Sequence, residues 1–522
     1  HQGETLAHII QEVKDYIAAH PHEHVDFLLA SGPVGVMAAT NEAVDQAEVV
    51  MLILLFASIS LLCFAEFRSV AAVLCIVVPL AIVAVLCNAL MATLGIGLKV
   101  STLPVVALGV GVGVDYGIYL FERMKHALAL AGVSLRLGGH WALKHIDLAI
   151  LGGGCAGLSL ARELAKQGVK KSVLVLEPRQ EYQDDKSWCF WADEQKRYAK
   201  WASYKWTGWK FGLFGKSQQI KQSPDHFYHY IRSLDFYQSS LATLQQSSSV
   251  QIKLGCTVKE VIEHSDGVLI NTDHRTYFAK QVVDTRPPSA DWIQKATLIQ
   301  SFLGIEIQLT EPSGRNANTV ELMTEMRLIN GAFAFNYILP FTDRHLLVEV
   351  TFFSNPPPSR ELLLAEVNAV LQNRGWSHAT VLRTEFGMLP MGLPDSGTPQ
   401  SRRIVRAGLV AGALRPSSGY GFVRIQRWAK RCANEYCSKN TVLPQVVSSF
   451  LIRQMDKLFL NVLKRQPDLT PELFDRMLSQ TSAEGFIRFM NDRASFADIL
   501  GIVFSLPKTP FLKALLRLCT GR

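Results

Sequence analysis

Hydrophobic positions in the first 125 residues form three long apolar runs, at residues 49–65, 70–96 and 101–121. Only short polar segments separate the runs. Crossing a bilayer as a helix takes about 17–25 mostly apolar residues, and each run has that length. The pattern predicts three transmembrane helices within residues 49–125, with residues 1–48 as an extracytoplasmic leader.

The pattern changes after a linker at residues 126–145. A short apolar run at 148–151 precedes a glycine-rich turn, a helical stretch to Gln167 and a second apolar run at 173–176. This order predicts the strand–helix–strand opening of a Rossmann-type α/β domain. Further strands are predicted at 251–255 and 276–283. The predicted organisation is a nucleotide-binding core with an inserted β-rich substrate domain at 146–427, followed by a helical C-terminal region at 428–522.

Charge divides the chain in the same way. Residues 1–125 have a net charge of −6 and the remainder +14, within a total of 53 basic and 45 acidic residues. Arg123, Lys125 and Arg136 follow the third apolar run, so the positive-inside rule places the C-terminal part in the cytoplasm. Basic residues are not clustered with aromatic ones as in a nucleic-acid groove, so nucleic acid is excluded as a partner. A membrane-facing basic surface explains the sign of the charge.

Asp115 is an ionisable residue inside the third apolar run, where carboxylates commonly mark ion or proton paths. Its segment GVGVDYGIYLFERM, with the turn Phe67-Arg68-Ser69, resembles the resistance-nodulation-division (MMPL-like) exporters and their sterol-sensing relatives. Those proteins have about a dozen spans, and this resemblance covers only about 130 residues. It implies a truncated exporter fragment in a bacterial inner membrane, because three helices cannot form a complete transport path.

The glycine-rich turn has the pattern Gly152-x-Gly154-x-x-Gly157 and is followed by Glu177 at the end of the second strand. Glycines allow the backbone to approach a pyrophosphate, which the helix N-terminus stabilises. An acidic residue at the position of Glu177 binds ribose hydroxyls, which favours FAD or NAD over NADP.

Two later segments are typical of a flavoprotein. VVDTRPP at 282–288, which contains Asp284, is predicted to return the chain to the nucleotide domain. GLVAGALRPSSGYGFVRIQ at 408–426 is predicted to form a second flavin contact through Gly412, Gly419 and Tyr420. These residues complete the predicted FAD site.

A specific resemblance covers residues 146–522. Its motifs appear in order as LEPRQEYQDDKSWCFW (176–191), YIRSLDF (230–236), DTRPP (284–288), SFLGIEIQL (301–309), FNYILPF with LLVEVTFFS (335–354), EFGMLPM (385–391) and GALRPSSGYGF (412–422). Together they resemble the bacterial lycopene β-cyclases. The resemblance implies a membrane-associated isomerase that holds reduced FAD in a net non-redox role, with NADPH as an external reductant. It further implies lycopene or a related linear carotene, drawn from the lipid bilayer, as substrate, and other carotenoid-pathway enzymes as partners.

Protonating an alkene requires a strong acid in a dry pocket, so buried carboxyls are the candidates. The resemblance assigns catalysis to Glu306, which lies within an apolar strand pattern, and Glu349 is a second candidate for acid or orienting group. The family's usual Met-Asp pair is replaced by residues 322–326, where Thr324 or Glu325 takes the acid's position, and the role of that position is left open.

Several aromatic residues could line a slot for a polyene: Trp188, Phe190, Trp191, Phe335, Tyr337, Tyr420 and Phe422. His226 and His229 have no evident third ligand, so no metal is expected, and the cysteines are expected to be reduced thiols. Two alternatives remain. One is a flavin oxidoreductase such as a geranylgeranyl reductase or aromatic-ring hydroxylase, and the other is a transporter subunit whose cytoplasmic domain only binds nucleotide. The sequence leaves open the oligomeric state, whether one or both polyene ends are cyclised, and whether the fusion is natural.

Overall fold

The computed structural model describes residues 2–21, 32–67, 70–94, 113–116, 118–119, 144–196, 199–394, 401, 403–446 and 448–520. The chain divides into two compact units, His1–Leu143 and Lys144–Arg522. Each unit is a separate body of secondary structure and is described by itself below.

The first unit is helical in its described residues. It contains α1 (Gln2–Ala19), α2 (Pro33–Phe67) and α3 (Val70–Thr93). Within α2 and α3, Val50–Phe67 and Val73–Met91 are long and apolar enough to cross a membrane. These two segments correspond to the first two predicted spans. The third predicted span lies mostly outside the described residues, although Asp115 falls in a short helical piece at 113–116.

The second unit opens with the predicted nucleotide-binding sheet, whose strand order is β8-β2-β1-β11-β10-β9 with β17 also paired to β11. Its strands are β1 (Lys144–Leu151), β2 (Val173–Leu176), β8 (Val250–Lys253), β9 (Val258–Glu263), β10 (Val268–Thr272), β11 (Thr276–Asp284) and β17 (Ile404–Arg406). The helices packed with it are α4 (Cys155–Lys166), α5 (Ser233–Gln245) and α8 (Phe422–Lys439). Strands β8, β2, β1, β11 and β17 run parallel, so their carboxyl ends share one edge, where ligands bind in such folds.

A second sheet has the order β16-β12-β15-β14-β13-β5-β6. Its strands are β5 (Gly208–Leu213), β6 (Gln219–Gln222), β12 (Leu298–Gln308), β13 (Thr319–Ile329), β14 (Ala332–Pro340), β15 (His345–Ser354) and β16 (Thr380–Met391). α6 (Ala290–Gln294) precedes β12, and α7 (Arg360–Asn373) covers one face with Leu363, Val367 and Val370. Because side chains alternate along a strand, the residues between those packed on α7 point to the opposite face.

Two further layers enclose that opposite face. A small sheet of order β3-β7-β4 comprises β3 (Ser187–Ala192), β4 (Tyr204–Trp206) and β7 (Phe227–Arg232). The C-terminal helices are α9 (Phe450–Arg465), α10 (Thr470–Gln480), α11 (Ala483–Met490), α12 (Phe496–Ser505) and α13 (Lys508–Thr520). Apolar residues of α9–α11 pack with the second sheet in one core cluster, whereas α8 packs with the nucleotide domain. The helical C-terminal part therefore packs against both sheets of the second unit.

Candidate active site

The glycine turn between β1 and α4 brings backbone groups close together. Gly152 has φ +93°, a conformation that favours glycine. A Cβ on Gly157 would lie 1.9 Å from the Gly152 carbonyl oxygen, so only glycine allows α4 to approach the turn. A Cβ on Gly154 would meet no atom within 4 Å, and α4 begins there without a side-chain cap. The turn thus leaves open space in front of an uncapped helix N-terminus, which suits a phosphate.

Glu177 lies where the sequence predicts, directly after β2, and is buried. Its Oε2 accepts a hydrogen bond from the Gly153 amide at 2.6 Å, and its Oε1 accepts from the Arg179 amide and Nε at 3.0 and 2.7 Å. The carboxylate therefore holds the glycine turn against the end of β2. It also lines the cavity described below.

The return segment reaches the cavity through the residues that follow Asp284. Asp284 forms a two-pronged ion pair with Arg286, through Oδ1–Nε at 2.9 Å and Oδ2–Nη2 at 2.7 Å, and is not among the cavity-lining residues. Thr285 and Arg286 do line the cavity. The Thr285 hydroxyl donates toward the Leu151 and Gly152 carbonyls at 2.9 and 3.0 Å, so it fixes the glycine turn.

Some residues of the second predicted flavin segment line the cavity and others do not. Gly419 and Tyr420 line the cavity, as does Gly408, whereas Gly412 ends a single 3-10 turn and is not among the lining residues. Gly419 has φ +70°, and a Cβ there would lie 2.7 Å from the Gln300 side-chain oxygen. The segment therefore brings the nucleotide domain against β12 of the second sheet.

One cavity of about 1220 Å³ is lined by these segments and by the open face of the second sheet. Drug-sized ligand sites are about 300–1,000 Å³, so this cavity is large enough for more than one small molecule. Its lining includes six of the seven aromatic residues noted in the sequence, and the seventh, Phe190, is packed in the core instead. C-terminal apolar side chains, including Phe459, Phe486 and Phe511, complete the wall.

Two buried carboxyls face this cavity from neighbouring strands. Glu349 of β15 and Glu385 of β16 are both in register with Gly304 of β12, and both line the cavity. They are 8% and 3% exposed. Burial raises the pKa of Glu349 to about 8, with the negative charge of Glu385 adding to the shift and a hydrogen bond from Thr351 opposing it. Burial likewise raises the pKa of Glu385, against the attraction of Arg383.

Glu306 has a different environment from the apolar one expected. Its neighbours Ile305 and Ile307 point to the α7 side of the sheet. Glu306 Oε1 lies 2.7 Å from His345 Nε2, and its Oε2 accepts from Arg383 Nε at 2.9 Å. Glu306 is not among the cavity-lining residues; it lies in an ion-pair network on the face of β12 that it shares with the cavity-lining Phe302.

Arg383 connects that network to the cavity. Its Nη1 donates to Glu385 Oε2 at 2.9 Å and its Nη2 to the Tyr230 hydroxyl at 2.9 Å, while Nε donates to Glu306. One guanidinium therefore bridges a cavity carboxyl and a carboxylate outside the cavity. Sequence reasoning did not single out Arg383 or Glu385, although Glu385 opens the quoted EFGMLPM motif.

The position of the family's Met-Asp pair also faces away from the cavity. Strand β13 is irregular between Glu321 and Arg327, and Glu325 has φ +53°. Glu325 pairs with Arg374 at 2.8 Å, and the Thr324 hydroxyl donates to Glu321 at 3.2 Å. Neither Thr324 nor Glu325 lines the cavity.

His226 and His229 are separated by their contacts. His226 Nδ1 lies 3.1 Å from Glu484, and His229 Nε2 lies 3.2 Å from the Ala192 carbonyl oxygen. Among the residues that the structure describes, no group of three or more His, Cys, Asp or Glu side chains could hold a metal ion.

The described residues of the second unit thus combine a parallel-stranded α/β fold with a large, mainly apolar cavity that two buried carboxyls face. The model of the lycopene cyclase family matches residues 147–516, so the chain belongs to that family, and the model of the MMPL family matches residues 2–135. Both resemblances noted in the sequence are confirmed.

Individual relatives are distant. The lycopene beta-cyclase of Pantoea ananas is 23% identical over 390 residues, covering 72% of this chain and 98% of that protein. The chloroplastic/chromoplastic lycopene beta cyclase of Capsicum annuum is 25% identical over 309 residues, covering 55% of this chain and 60% of that protein. A geranylgeranyl bacteriochlorophyll reductase-like protein from Thermoplasma acidophilum has a TM-score of 0.47 at 14% identity, covering 72% of this chain and 96% of that one.

Proposed function

We propose that the chain converts the linear ends of lycopene, or of a related carotene, into β-ionone rings. The observation that carries the proposal is the pair of buried carboxyls, Glu349 and Glu385, on the wall of a large apolar cavity. Membership of the lycopene cyclase family supports the choice of substrate. A polyene has no polar group to bind, so an apolar cavity with few charged groups suits it.

FAD is the cofactor that we propose for the nucleotide domain. The open space at Gly154, the uncapped start of α4 and the buried Glu177 fit a pyrophosphate and an adenosine ribose. Thr285, Arg286, Gly408 and Gly419 would border the rest of the cofactor within the same cavity. When bound in its reduced form, FAD supplies an electron-rich ring that stabilises a neighbouring cation, with NADPH as the external reductant.

Glu349 is the proposed proton donor. A pKa of about 8 keeps its carboxyl protonated near neutral pH, and its position on the cavity wall allows direct contact with a substrate double bond. Each ring needs one proton added to a C=C bond and one proton removed from a neighbouring carbon after ring closure. Glu349 donates the first proton, Glu385 accepts the second, and transfer of that proton from Glu385 to Glu349 restores the starting protonation state, because the substrate's composition is unchanged.

Aromatic side chains are proposed to stabilise the intermediate cation. Trp191 stacks on Tyr420, and the hydroxyls of Tyr228, Tyr337 and Tyr420 form a hydrogen-bonded trio, with Tyr228 at 2.7 Å from Tyr337 and 3.0 Å from Tyr420. Aromatic faces attract cations, by about 2 kcal/mol when the site is dry. Tying the hydroxyls to one another leaves fewer oxygen nucleophiles to trap the cation.

Glu306 is proposed to act through Arg383 rather than on the substrate. Its carboxylate and that of Glu385 share the same guanidinium. Arg383 favours the charged form of Glu385, and the contact of Arg383 with Glu306 limits that effect by holding the guanidinium partly away from Glu385. Glu306 is thus a positioning residue, and this assignment differs from the role that the family resemblance implied.

A membrane location follows from the substrate and from the two apolar helices α2 and α3. We propose that the protein lies in a bacterial inner membrane with Lys144–Arg522 on the cytoplasmic side, where flavin and NADPH are available. Other carotenoid-pathway enzymes are proposed as neighbours that supply the linear carotene.

The experiment is expression of the full chain in bacteria that accumulate lycopene, followed by chromatography of the pigments. Carotenes with one or two β-rings are expected, and their ratio reports whether one or both ends are cyclised. Unchanged lycopene together with flavin-dependent NADPH oxidation would instead support the oxidoreductase alternative. The Glu349→Gln variant at equal protein level is the matched control and is expected to leave lycopene unconverted.

A further inference from the structure

A second pocket, of about 380 Å³, lies outside the carboxyl-containing cavity and is lined by four arginines: Arg415, Arg424, Arg427 and Arg431. We refer to it as the arginine pocket. Three of them recur on α8 at positions 424, 427 and 431, a spacing that places them on one helix face. Asp492 is the single carboxylate among the lining residues, so the lining carries a net positive charge.

Arg415 is the buried member of this set. It is 1% exposed, and its Nε and Nη2 atoms have no hydrogen-bond partner in the described part of the chain. Its Nη1 donates a hydrogen bond to the Phe489 carbonyl oxygen at 2.5 Å, and Asp456 and Asp492 are its ion-pair partners at 3.5 and 3.7 Å, so Nε is the donor left without any acceptor among the described residues. A buried guanidinium with unused donors is costly unless an acceptor satisfies it.

The N-terminus of α9 supplies a second feature of an anion site. Ser448 and Ser449 line the pocket, and Ser449 caps this 16-residue helix without a side-chain hydrogen bond to it. Ser448 accepts a hydrogen bond from Arg424 Nη1 at 3.1 Å. Uncapped helix N-termini present free amide groups and a partial positive charge, which bind phosphate.

The surroundings of the pocket are apolar and exposed. Val446 and Ile452 belong to the lining, and Phe450 and Phe496, which are close in sequence to the lining residues Ser449 and Ala494, are 70% and 71% exposed. Exposed large apolar side chains beside an anion site suit a ligand with a phosphate and hydrocarbon chains.

We propose that the arginine pocket binds a phosphate group, and that its source is the headgroup of an anionic phospholipid. The guanidinium groups and the α9 amides contact the phosphate oxygens, and the apolar residues contact the acyl chains. The site is separate from the carboxyl pair, so the proposal stands or fails independently of the proposed cyclisation.

The test uses the full chain purified and delipidated in neutral detergent, with binding measured by isothermal titration calorimetry. The probes are dihexanoylphosphatidylglycerol, the zwitterionic dihexanoylphosphatidylcholine and inorganic phosphate. We expect tighter binding of the phosphatidylglycerol than of the phosphatidylcholine, and weaker binding as salt is raised. Arg431→Gln and Arg424→Gln should each weaken it by roughly 10-fold or more.

Control variants keep this test interpretable. Arg431 is exposed, so Arg431→Gln should leave thermal unfolding unchanged, and Arg476→Gln removes a charge from the surface of α10 without affecting binding. Binding of inorganic phosphate alone would overturn the lipid source and support a soluble phosphate compound. No binding of any probe, or equal affinity for both lipids that Arg431→Gln leaves unchanged, would overturn the site.

Discussion

Glu349 and Glu385 lie opposite the same residue, Gly304, on the two strands that flank β12. Strands in a sheet are about 4.8 Å apart, so two carboxyls two strands apart can converge only if the residue between them is small. Glycine leaves that space open. The pair is therefore a product of strand register rather than of closeness in sequence.

Gly304→Ala tests whether that space matters. A Cβ at this position would lie 3.1 Å from Glu385 Cγ and 3.3 Å from Leu347 Cδ1, so the Glu385 side chain must shift by a few tenths of an ångström. We expect cyclisation to fall by about 10-fold with little change in melting temperature, since misplacing catalytic groups is costly. Gly501→Ala is the control, because a Cβ there meets no atom within 4 Å. Equal activity of both variants would contradict the claim that the space at Gly304 is needed to place Glu385.

Gly154→Val tests the cofactor site. A Cβ on Gly154 meets no protein atom within 4 Å, so a larger side chain there is expected to enter the space proposed for the pyrophosphate, whereas the Cβ of Gly157→Ala would collide with the Gly152 carbonyl. We expect Gly154→Val to fold but to be purified without yellow flavin absorbance, and Gly157→Ala to lose stability. A folded, fully flavin-loaded Gly154→Val protein would show that the turn does not hold the cofactor.

Glu306→Gln tests the positioning role. Loss of the negative charge weakens the attraction of this side chain for Arg383 and so strengthens the hold of Arg383 on Glu385, and we expect activity to fall by about 10- to 100-fold, as for other supporting partners of reactive groups. Because the effect passes through Arg383, the double variant with Arg383→Gln should be no worse than Arg383→Gln alone. Strict additivity in the measured rates would indicate a separate action of Glu306 on the substrate.

Topology is tested by reporter fusions at Gln46 and Arg136. Three spans place these residues on opposite sides of the membrane, and this remains our prediction. If both reporters lie on the same side, the segment between them contains two membrane spans rather than three. Deleting residues 1–136 should leave cyclisation largely intact, because the cavity-lining residues all belong to Lys144–Arg522. Loss of activity on deletion, with flavin still bound, would assign a catalytic role to the membrane segment.

The sequence was most informative where the signal is local. The second strand was predicted at 173–176 and is found at Val173–Leu176, and Glu177 follows it as expected. A run of apolar residues that follows polar residues and ends at an acid specifies a strand and its end without reference to the rest of the fold. The glycine spacing likewise predicted the turn before α4.

The acid site depends on information that a single sequence does not contain. Glu306 was expected among apolar neighbours, but those neighbours alternate to the other face, and Glu306 instead meets Arg383 and His345 from adjacent strands. Which residues face one another across β12, β15 and β16 is set by register. The irregularity of β13 similarly turns Glu325 away from the cavity, and no periodic pattern indicates it.

The pH dependence of cyclisation in the Glu349→Gln variant tests the central claim most directly. Glu349 must be protonated to donate, so the wild-type rate should be full below its pKa and fall as pH rises through about 8. Glutamine keeps the size but has no transferable proton, so the rate should drop by about 10²–10⁴ and lose this high-pH decline while flavin stays bound. Near-normal cyclisation by Glu349→Gln, or a decline near pH 8 that disappears in Glu306→Gln instead, would contradict the account and return the role to Glu306.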